Sequence, residues 1–295
     1  KQDIEYLSNT VYDWLVKYGR LTSRKYLVGE SYGGYRVPRL AYYLQARTGV
    51  GVNGIVMVSP YLDPAAIGDE TALSPLPWAI NLPSMAAGYL ERQGKLNAAN
   101  MADVEAYARG EFVTDFLKGA ADKEATDRLS GKVASYIGLD PALVRRMDGR
   151  IDIRTYLREI HRGTGQIGSV YDSNVTAYDP FPASADSNYG DPLLDGIMGP
   201  TTSAAVDFIT NQVGWKAGWH YEALSYNVNR LWDRDNSDTP VTDLRKAIAN
   251  DPKMGVLIVH GWDDLSCPFM TSKLVVAQMP SFGQADRVKI SLYPG

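Results

Sequence analysis

The chain has 295 residues, of which 45% are hydrophobic and 22% are charged, and this balance excludes disordered, collagen-like and low-complexity proteins. The length predicts one large domain or two ordinary ones, with enough chain for a sizeable core. The formal net charge is −4, and no cluster of Lys and Arg is present that could neutralise phosphates, so we expect no nucleic acid partner.

Cysteine content and hydropathy exclude further kinds of protein. Cys267 is the only cysteine, which rules out an intramolecular disulfide and a four-cysteine metal site. We predict no metal and no cofactor. No run of 18 apolar residues is present, so we expect no membrane span. The first residues do not resemble a signal peptide, so we expect any export signal to be missing or never to have been present.

The first sixty residues alternate helix and strand. Residues 3–18 place apolar side chains at three- and four-residue steps, which predicts an amphipathic helix that ends at Gly19. Residues 25–28 form a short apolar run typical of a buried strand, and a glycine-bounded turn and a helix over 36–44 follow it. Residues 55–58 predict a second buried strand. This alternation favours an α/β fold with a parallel sheet.

The middle of the chain has a helical pattern instead. We predict helices from about 69 to 162, a long irregular connection over 163–200, and further helices from about 204 to 233. The aromatic residues of the last stretch are expected to lie in a core: Trp215, Trp219, Tyr221, Tyr226 and Trp232.

Strand and helix alternate again near the end of the chain. Residues 256–259 and 288–293 predict strands, and residues 272–279 predict a helix between them. We therefore divide the chain into an α/β core segment at 1–62, a helical insertion with an irregular connection at 63–213, and a second α/β core segment at 214–295.

One motif in this pattern carries chemistry. Gly29, Ser31 and Gly33 form a G-x-S-x-G sequence between a predicted strand and a predicted helix, which is the context of a nucleophile elbow. In such an elbow the serine lies on a sharp, strained turn, and the glycines let the strand and the helix pack closely. The alternative is a serine that caps an ordinary helix, a role that would not require both glycines.

A serine nucleophile needs a base, an acid that orients the base, and donors for the oxyanion. In α/β-hydrolases the acid follows a late strand, where this sequence has Asp263 and Asp264. A solvated pair of turn residues is the alternative. The three histidines, His161, His220 and His260, all precede Asp264, so none occupies the expected place of the base. We expect His260 to be a packed structural residue.

The oxyanion donors are also incomplete in the given residues. The backbone N–H of Tyr32 is the expected first donor, and the second normally comes from an earlier loop. Only 28 residues precede Gly29, fewer than the earlier strands of a hydrolase sheet need. We therefore expect the second donor and the base to lie outside the given residues. On this interpretation the chain is a fragment, truncated at both ends, that shows little or no turnover by itself.

Three segments resemble the serine carboxypeptidase family. Residues 29–34 read GESYGG, which is similar to the family's G-E-S-Y-[AG]-G elbow. Residues 256–268 read VLIVHGWDDLSCP, which is similar to an apolar strand followed by G-D-x-D-x-x-x-P, with Trp262 in place of the first Asp. Residues 292–295, LYPG, resemble the approach to the family's histidine segment. The match is to a bacterial-type member and covers both ends of the chain.

The resemblance implies a role for each matched residue. Ser31 would be the acylated nucleophile, and Asp264 would orient a histidine beyond the given residues. Tyr32 would supply an oxyanion N–H and a wall of the substrate pocket. Cys267 falls where some members have a free cysteine beside that pocket, and a small buried hydrophobe is the alternative. Glu30 would share a proton with other polar groups and bind the substrate's C-terminal carboxylate, which favours acidic pH; a solvent-facing or salt-bridged glutamate is the alternative.

The resemblance thus implies an α/β-hydrolase core with a mostly parallel sheet and a helical cap. It implies a serine-type carboxypeptidase that acts through an acyl-enzyme on peptides with a free C-terminal carboxylate. The expected setting is secreted or periplasmic, with no membrane, metal or cofactor involved. Two alternatives stay open: an esterase or acyltransferase on the same fold, and a non-catalytic binding module that kept the hydrolase scaffold.

Overall fold

The computed structural model describes residues 2–63, 73–184, 190–216, 220–232, 239–284 and 286–295. The helices of these residues are α1 (Gln2–Lys17), α2 (Tyr32–Tyr43), α3 (Leu76–Arg92), α4 (Ala98–Arg109), α5 (Glu111–Lys118), α6 (Lys123–Ile137), α7 (Pro141–Arg146), α8 (Ile153–Glu159), α9 (Pro192–Asp207), α10 (Tyr226–Leu231), α11 (Pro240–Asn250) and α12 (Phe269–Ala277). The strands are β1 (Tyr26–Glu30), β2 (Gly54–Val58), β3 (Gln166–Gly168), β4 (Thr176–Tyr178), β5 (Gly255–Gly261) and β6 (Val288–Tyr293). The predicted start of the helical stretch, at 69–72, lies outside the described residues.

Four strands form one parallel sheet in the order β1-β2-β5-β6. The register aligns Val28 of β1 with Val56 of β2 and Leu257 of β5. Because all four strands point the same way, their carboxyl ends lie along one edge of the sheet. The fold is therefore mixed α/β with a mostly parallel sheet, as the alternation of strand and helix predicted.

One face of the sheet is buried beneath helices. Ile55 and Met57 of β2, with Val256 and Ile258 of β5, lie in a core cluster that also holds side chains of α1, α2 and α11. Alternate residues of a strand point to the same face, so the apolar runs at 55–58 and 256–259 supply this core. The expectation of a buried strand at 25–28 is wrong, because Tyr26 and Val28 of β1 are 60% and 67% exposed at the edge of the sheet. Gly19 has a positive φ of 65° just after α1, as expected of a helix-ending glycine.

Helices α3 to α8, which we call the helical region, have a core cluster of their own. Phe112 and Tyr156 are among its fully buried side chains. The helices begin at residues whose side chains accept bonds from the first turn: Asn97, Asp122, Asp140 and Asp152. Leu265, which follows β5, belongs to the same cluster, so the helical region is attached to the end of that strand. Among the described helices, none is long and apolar enough to cross a membrane.

The stretch after the helical region is more ordered than its sequence predicts. Strands β3 and β4 pair as a short antiparallel hairpin, and α9 begins at Pro192, well inside the predicted irregular connection. Strands of three residues are too short to show a period, and Gly and Pro obscure the helical pattern of α9. The expectation of an aromatic core is wrong for Trp215 and Tyr226, which are 51% and 70% exposed. Trp219 lies outside the described residues.

Candidate active site

Ser31 lies between the last residue of β1 and the first residue of α2, with φ 52° and ψ −115°. A positive φ is rare for a residue with a β-carbon and costs about 1–3 kcal/mol, so the surrounding structure holds this strained turn in place. Ser31 occupies the N-cap position of α2, but its side chain makes no capping hydrogen bond. The structure therefore disfavours the interpretation of Ser31 as an ordinary helix cap.

Two glycines let α2 pack closely at this turn, but they are not the pair that the motif predicts. A β-carbon at Gly29 would collide with the backbone carbonyl of Gly33 and lie 2.9 Å from Val37 Cγ1. A β-carbon at Gly34 would lie 2.7 Å from Pro60 Cα. At Gly33 a β-carbon would meet no atom within 4 Å. Gly29 and Gly34 therefore make the close approach possible, whereas Gly33 contributes its backbone.

The turn after β2 repeats the geometry of the turn after β1. Ser59 also has a positive φ, 41°. The Ser31 N–H donates to the Val58 carbonyl at 3.0 Å, and the Ser59 N–H donates to the Val259 carbonyl at 2.7 Å. These bonds extend the ladder between neighbouring strands, so the residues after β1, β2 and β5 lie side by side at the carboxyl edge of the sheet.

Asp264 lies at this edge and is 5% exposed. Its Oδ1 accepts hydrogen bonds from the backbone N–H groups of Ser266 (2.8 Å) and Cys267 (3.1 Å), and its carboxyl group also contacts the Ser59 side chain. Burial raises the pKa of Asp264, although these hydrogen bonds oppose the rise. Asp263 points elsewhere, since its Oδ2 accepts from Ser173 Oγ at 3.0 Å.

Cys267 brings Ser31 and Asp264 together. Its thiol is in hydrogen-bond contact with the Ser31 side chain, and its backbone N–H donates to Asp264. Burial, helped by the negative charge of Asp264, raises the pKa of Cys267 to about 12. A thiol with so high a pKa is not a nucleophile near neutral pH, so Cys267 acts as a small packing group beside Ser31.

Glu30 precedes the strained serine at the end of β1. Its side chain reaches solvent, and partial burial raises the pKa of Glu30. The charge of Glu30 also raises the pKa of Asp264 and of Tyr171, which places the three side chains in one electrostatic neighbourhood. Glu30 therefore keeps its proton to a higher pH than an ordinary glutamate does.

Tyr32 forms an aromatic wall together with residues that the sequence did not single out. Its ring stacks on Tyr35 with a centroid separation of 4.9 Å, and its hydroxyl accepts a hydrogen bond from Trp232 Nε1 at 3.0 Å. The Arg36 guanidinium lies 5.0 Å from the Tyr32 ring and 5.0 Å from the Trp232 ring. Nothing local in the sequence connects position 232 to position 32, because the contact depends on the path of the chain after α10. The backbone N–H of Tyr32, the first residue of α2, has no partner within the helix.

A cavity of about 280 Å³ opens beside Cys267. Its walls include Cys267 and Pro268 on one side, and Tyr61 and Trp78 on the other. Tyr61 also donates its N–H to the Ser31 carbonyl at 3.1 Å. The cavity therefore adjoins Cys267 and Tyr61, two residues that contact Ser31.

All three histidines fall within the described residues, and no hydrogen bond found there joins one to Ser31 or Asp264. His260 is 1% exposed, as expected of a packed residue, and its Nε2 lies 2.8 Å from Ser272 Oγ. His161 Nε2 contacts the Ser173 carbonyl, and His220 is exposed. The described site therefore holds a strained serine and a buried acid without an imidazole between them.

Comparisons with known proteins add a fold likeness and no sequence match. No protein-family model matches the chain, and no curated protein matches it. Among solved structures, the chain is similar to Kex1Δp, a prohormone-processing carboxypeptidase from Saccharomyces cerevisiae, with 12% sequence identity and a TM-score of 0.49. The match covers 94% of this chain and 53% of that one, so the chain spans about half the length of that carboxypeptidase.

Proposed function

We propose that the protein is a serine-type carboxypeptidase in which Ser31 is acylated by the substrate's carbonyl carbon. The observation that carries the proposal is the turn at Ser31, where a positive φ and two tightly packed glycines hold a serine whose hydroxyl does not cap its own helix. A strained turn of this kind at the carboxyl end of a parallel strand presents the hydroxyl to a substrate.

Asp264 has the burial and the hydrogen bonds of an orienting acid. It would hold an imidazole in the tautomer that accepts the Ser31 proton, as the acid of a catalytic triad does. In the proposal, that imidazole belongs to chain beyond Gly295. The last residue of β6 pairs with Gly261 at the end of β5, so chain that continues after β6 starts next to the loop that carries Asp264. The Tyr32 N–H would donate to the oxyanion.

Glu30 favours a substrate with a free C-terminal carboxylate. A carboxylic acid binds a carboxylate through a shared proton only while it is itself protonated, and the raised pKa of Glu30 widens the pH range in which that holds. The proposed substrate class is therefore a peptide acid, cleaved at its last bond in an acidic, secreted or periplasmic setting.

The nucleophile can be tested on the 295-residue chain itself. We expect a fluorophosphonate probe to label Ser31, and free imidazole to accelerate the labelling by serving as the missing base. Ser31→Ala should abolish labelling, and Ser135→Ala, a serine on an exposed helix surface, should leave it unchanged. Absence of labelling here and in a longer chain that includes the sequence after Gly295 would support the non-catalytic binding module.

The substrate class can be tested with Glu30→Gln in the longer chain. The change should reduce kcat/KM for peptide acids much more than for the matching peptide amides or simple esters, because only the acids use the shared proton. Glu5→Gln on exposed α1 is the matched control. Equal losses for all three substrates would favour the esterase or acyltransferase.

A further inference from the structure

A second group of carboxyl side chains lies beside the acid loop, which we define as residues 262–268. Among the described residues, Glu91 of α3, Asp172 of the hairpin turn and Asp263 of the acid loop place carboxyl oxygens within 4.8 Å of one another. Asp263 is completely buried. Within the described part of the chain, its Oδ1 has no donor, whereas its Oδ2 accepts from Ser173 Oγ.

The charges of this group do not balance. In the portion of the chain that is described, no salt bridge reaches Glu91, Asp172 or Asp263, and Arg92 Nη1 donates to the Asn174 amide oxygen instead, at 2.8 Å. A carboxyl oxygen of Asp172 lies within 4.8 Å of one of Asp263, and the negative charge of Asp172 acts on the buried Asp263. Two ionised carboxylates repel each other at that separation, and Asp263 is buried without a cation from the described residues, so the arrangement favours a proton on one of the two groups.

We propose that Asp172 and Asp263 share a proton, and that this protonated pair joins the hairpin to the acid loop and weakens when the proton is lost. Two backbone hydrogen bonds also connect the hairpin to the acid loop: the N–H groups of Leu265 and Ser266 donate to the Val170 carbonyl at 2.9 and 3.0 Å. Asp263 is therefore a positioning residue for the loop that carries Asp264. This connection between the hairpin and the acid loop, which we call the joint, does not depend on whether Ser31 is acylated.

The pH range of the joint follows from its surroundings. Burial, together with the negative charge of Asp172, raises the pKa of Asp263 to about 7. The charged and titratable groups that surround it are Glu91 and Arg92 of α3, Tyr156 of α8, His161 after α8, Asp172 of the hairpin and Asp264 of the acid loop. Between the ordinary pKa of an aspartate and this raised value, the folded protein holds a proton that the unfolded chain has lost. Folding is therefore weakened as the pH rises through this range.

Urea unfolding of the chain and of Asp263→Asn from pH 5 to pH 8 tests the joint. The variant cannot ionise, so its unfolding equilibrium constant should fall relative to that of the unmodified chain, by at most tenfold per pH unit up to about pH 7. The ratio of the two constants is the quantity to follow, because His260 and other groups titrate equally in both proteins. Asp286→Asn, at an exposed carboxyl, is the control and should give a constant ratio.

Asp172→Asn provides a second measurement if Asp263→Asn does not fold. It should also flatten the pH dependence, because an amide can donate to Asp263 without a shared proton. Hydrogen exchange gives a local readout: the Leu265 and Ser266 amides should lose protection above pH 7 in the unmodified chain and keep it in Asp172→Asn.

Two results would overturn the proposal. One is a ratio of unfolding constants that stays within about twofold from pH 5 to pH 8 in both variants, where linkage requires a change of tenfold or more. The other is a rise in melting temperature when calcium chloride is added at pH 8 that Asp263→Asn abolishes. That result would show that a cation, not a proton, neutralises the three carboxyl groups.

Discussion

The packing of α2 against the turn after β2 makes Gly34 a sensitive glycine of the elbow. In Gly34→Ala the new methyl carbon would lie 2.7 Å from Pro60 Cα and closer still to Pro60 Cβ. The proline cannot yield easily, because its ring fixes φ and because the preceding residue, Ser59, is held by the hydrogen bond to Val259. We expect the substitution to force the helix and the turn apart.

The size of the effect follows from two opposing contributions. Overpacking of a tight contact costs about 1–3 kcal/mol. Replacement of glycine by alanine within a helix offsets up to about 1 kcal/mol of that loss. With the full offset, we expect Gly34→Ala to lower the free energy of unfolding by up to about 2 kcal/mol. Gly33→Ala, one residue earlier in the same helix, meets no atom within 4 Å and should be neutral or up to about 1 kcal/mol more stable.

Urea unfolding followed by far-UV circular dichroism measures both variants under identical conditions. The midpoints should separate while the slope with urea stays unchanged, because neither change alters the surface that unfolding exposes. If Gly34→Ala equals or exceeds Gly33→Ala in stability, the close approach of α2 to Pro60 is not what fixes the elbow, and the assignment of Gly29 and Gly34 as its packing glycines is wrong.

Three further predictions concern single buried groups. Arg158→Ala leaves the 6% exposed side chain of Asp179 without its cation, so the free energy of unfolding should fall by about 3–5 kcal/mol in a urea titration; a loss below 1 kcal/mol would contradict the buried ion pair. Cys267 should react with iodoacetamide only after urea unfolds the chain, because its thiol is buried and its pKa is raised to about 12; rapid labelling of the folded chain would refute this. Burial lowers the pKa of His260 to about 4. About 3 kcal/mol of the free energy of unfolding, present above pH 6.5 where the imidazole is neutral in both states, is therefore lost as the pH falls to 4. In His260→Gln that acid limb of the stability curve should disappear, and its persistence would assign the limb to other groups.

Strands and helices near the two ends of the chain could be predicted from periodicity alone. Residues 55–58 and 256–259 are short apolar runs bounded by turn residues, and both are central strands of the sheet. The resemblance in residues 29–34 placed the serine at a strand end, and the structure adds the positive φ that the sequence cannot state. Local patterns succeed here because both runs lie inside the sheet, where their apolar side chains enter the core.

Other features could not be predicted because they depend on distant contacts. The choice of Gly34 over Gly33 is decided by Pro60, and the wall formed by Tyr32 and Trp232 joins residues 200 positions apart. Asp263 and Asp264 are neighbours in sequence and indistinguishable by composition. The structure separates them because β5 ends so that one carboxyl group points to Ser173 and the other to Ser59.

This separation has a consequence for how the site is assembled. Asp263 and Asp264 follow each other in the acid loop, and Asp264 faces Ser59 and Cys267 while Asp263 is directed into the interface with the hairpin. A charged side chain buried there without a cation would be expelled, and it would turn its neighbour away from Ser31 as it left. The position of Asp264 therefore depends on the hairpin and α3 as well as on the strand that it follows.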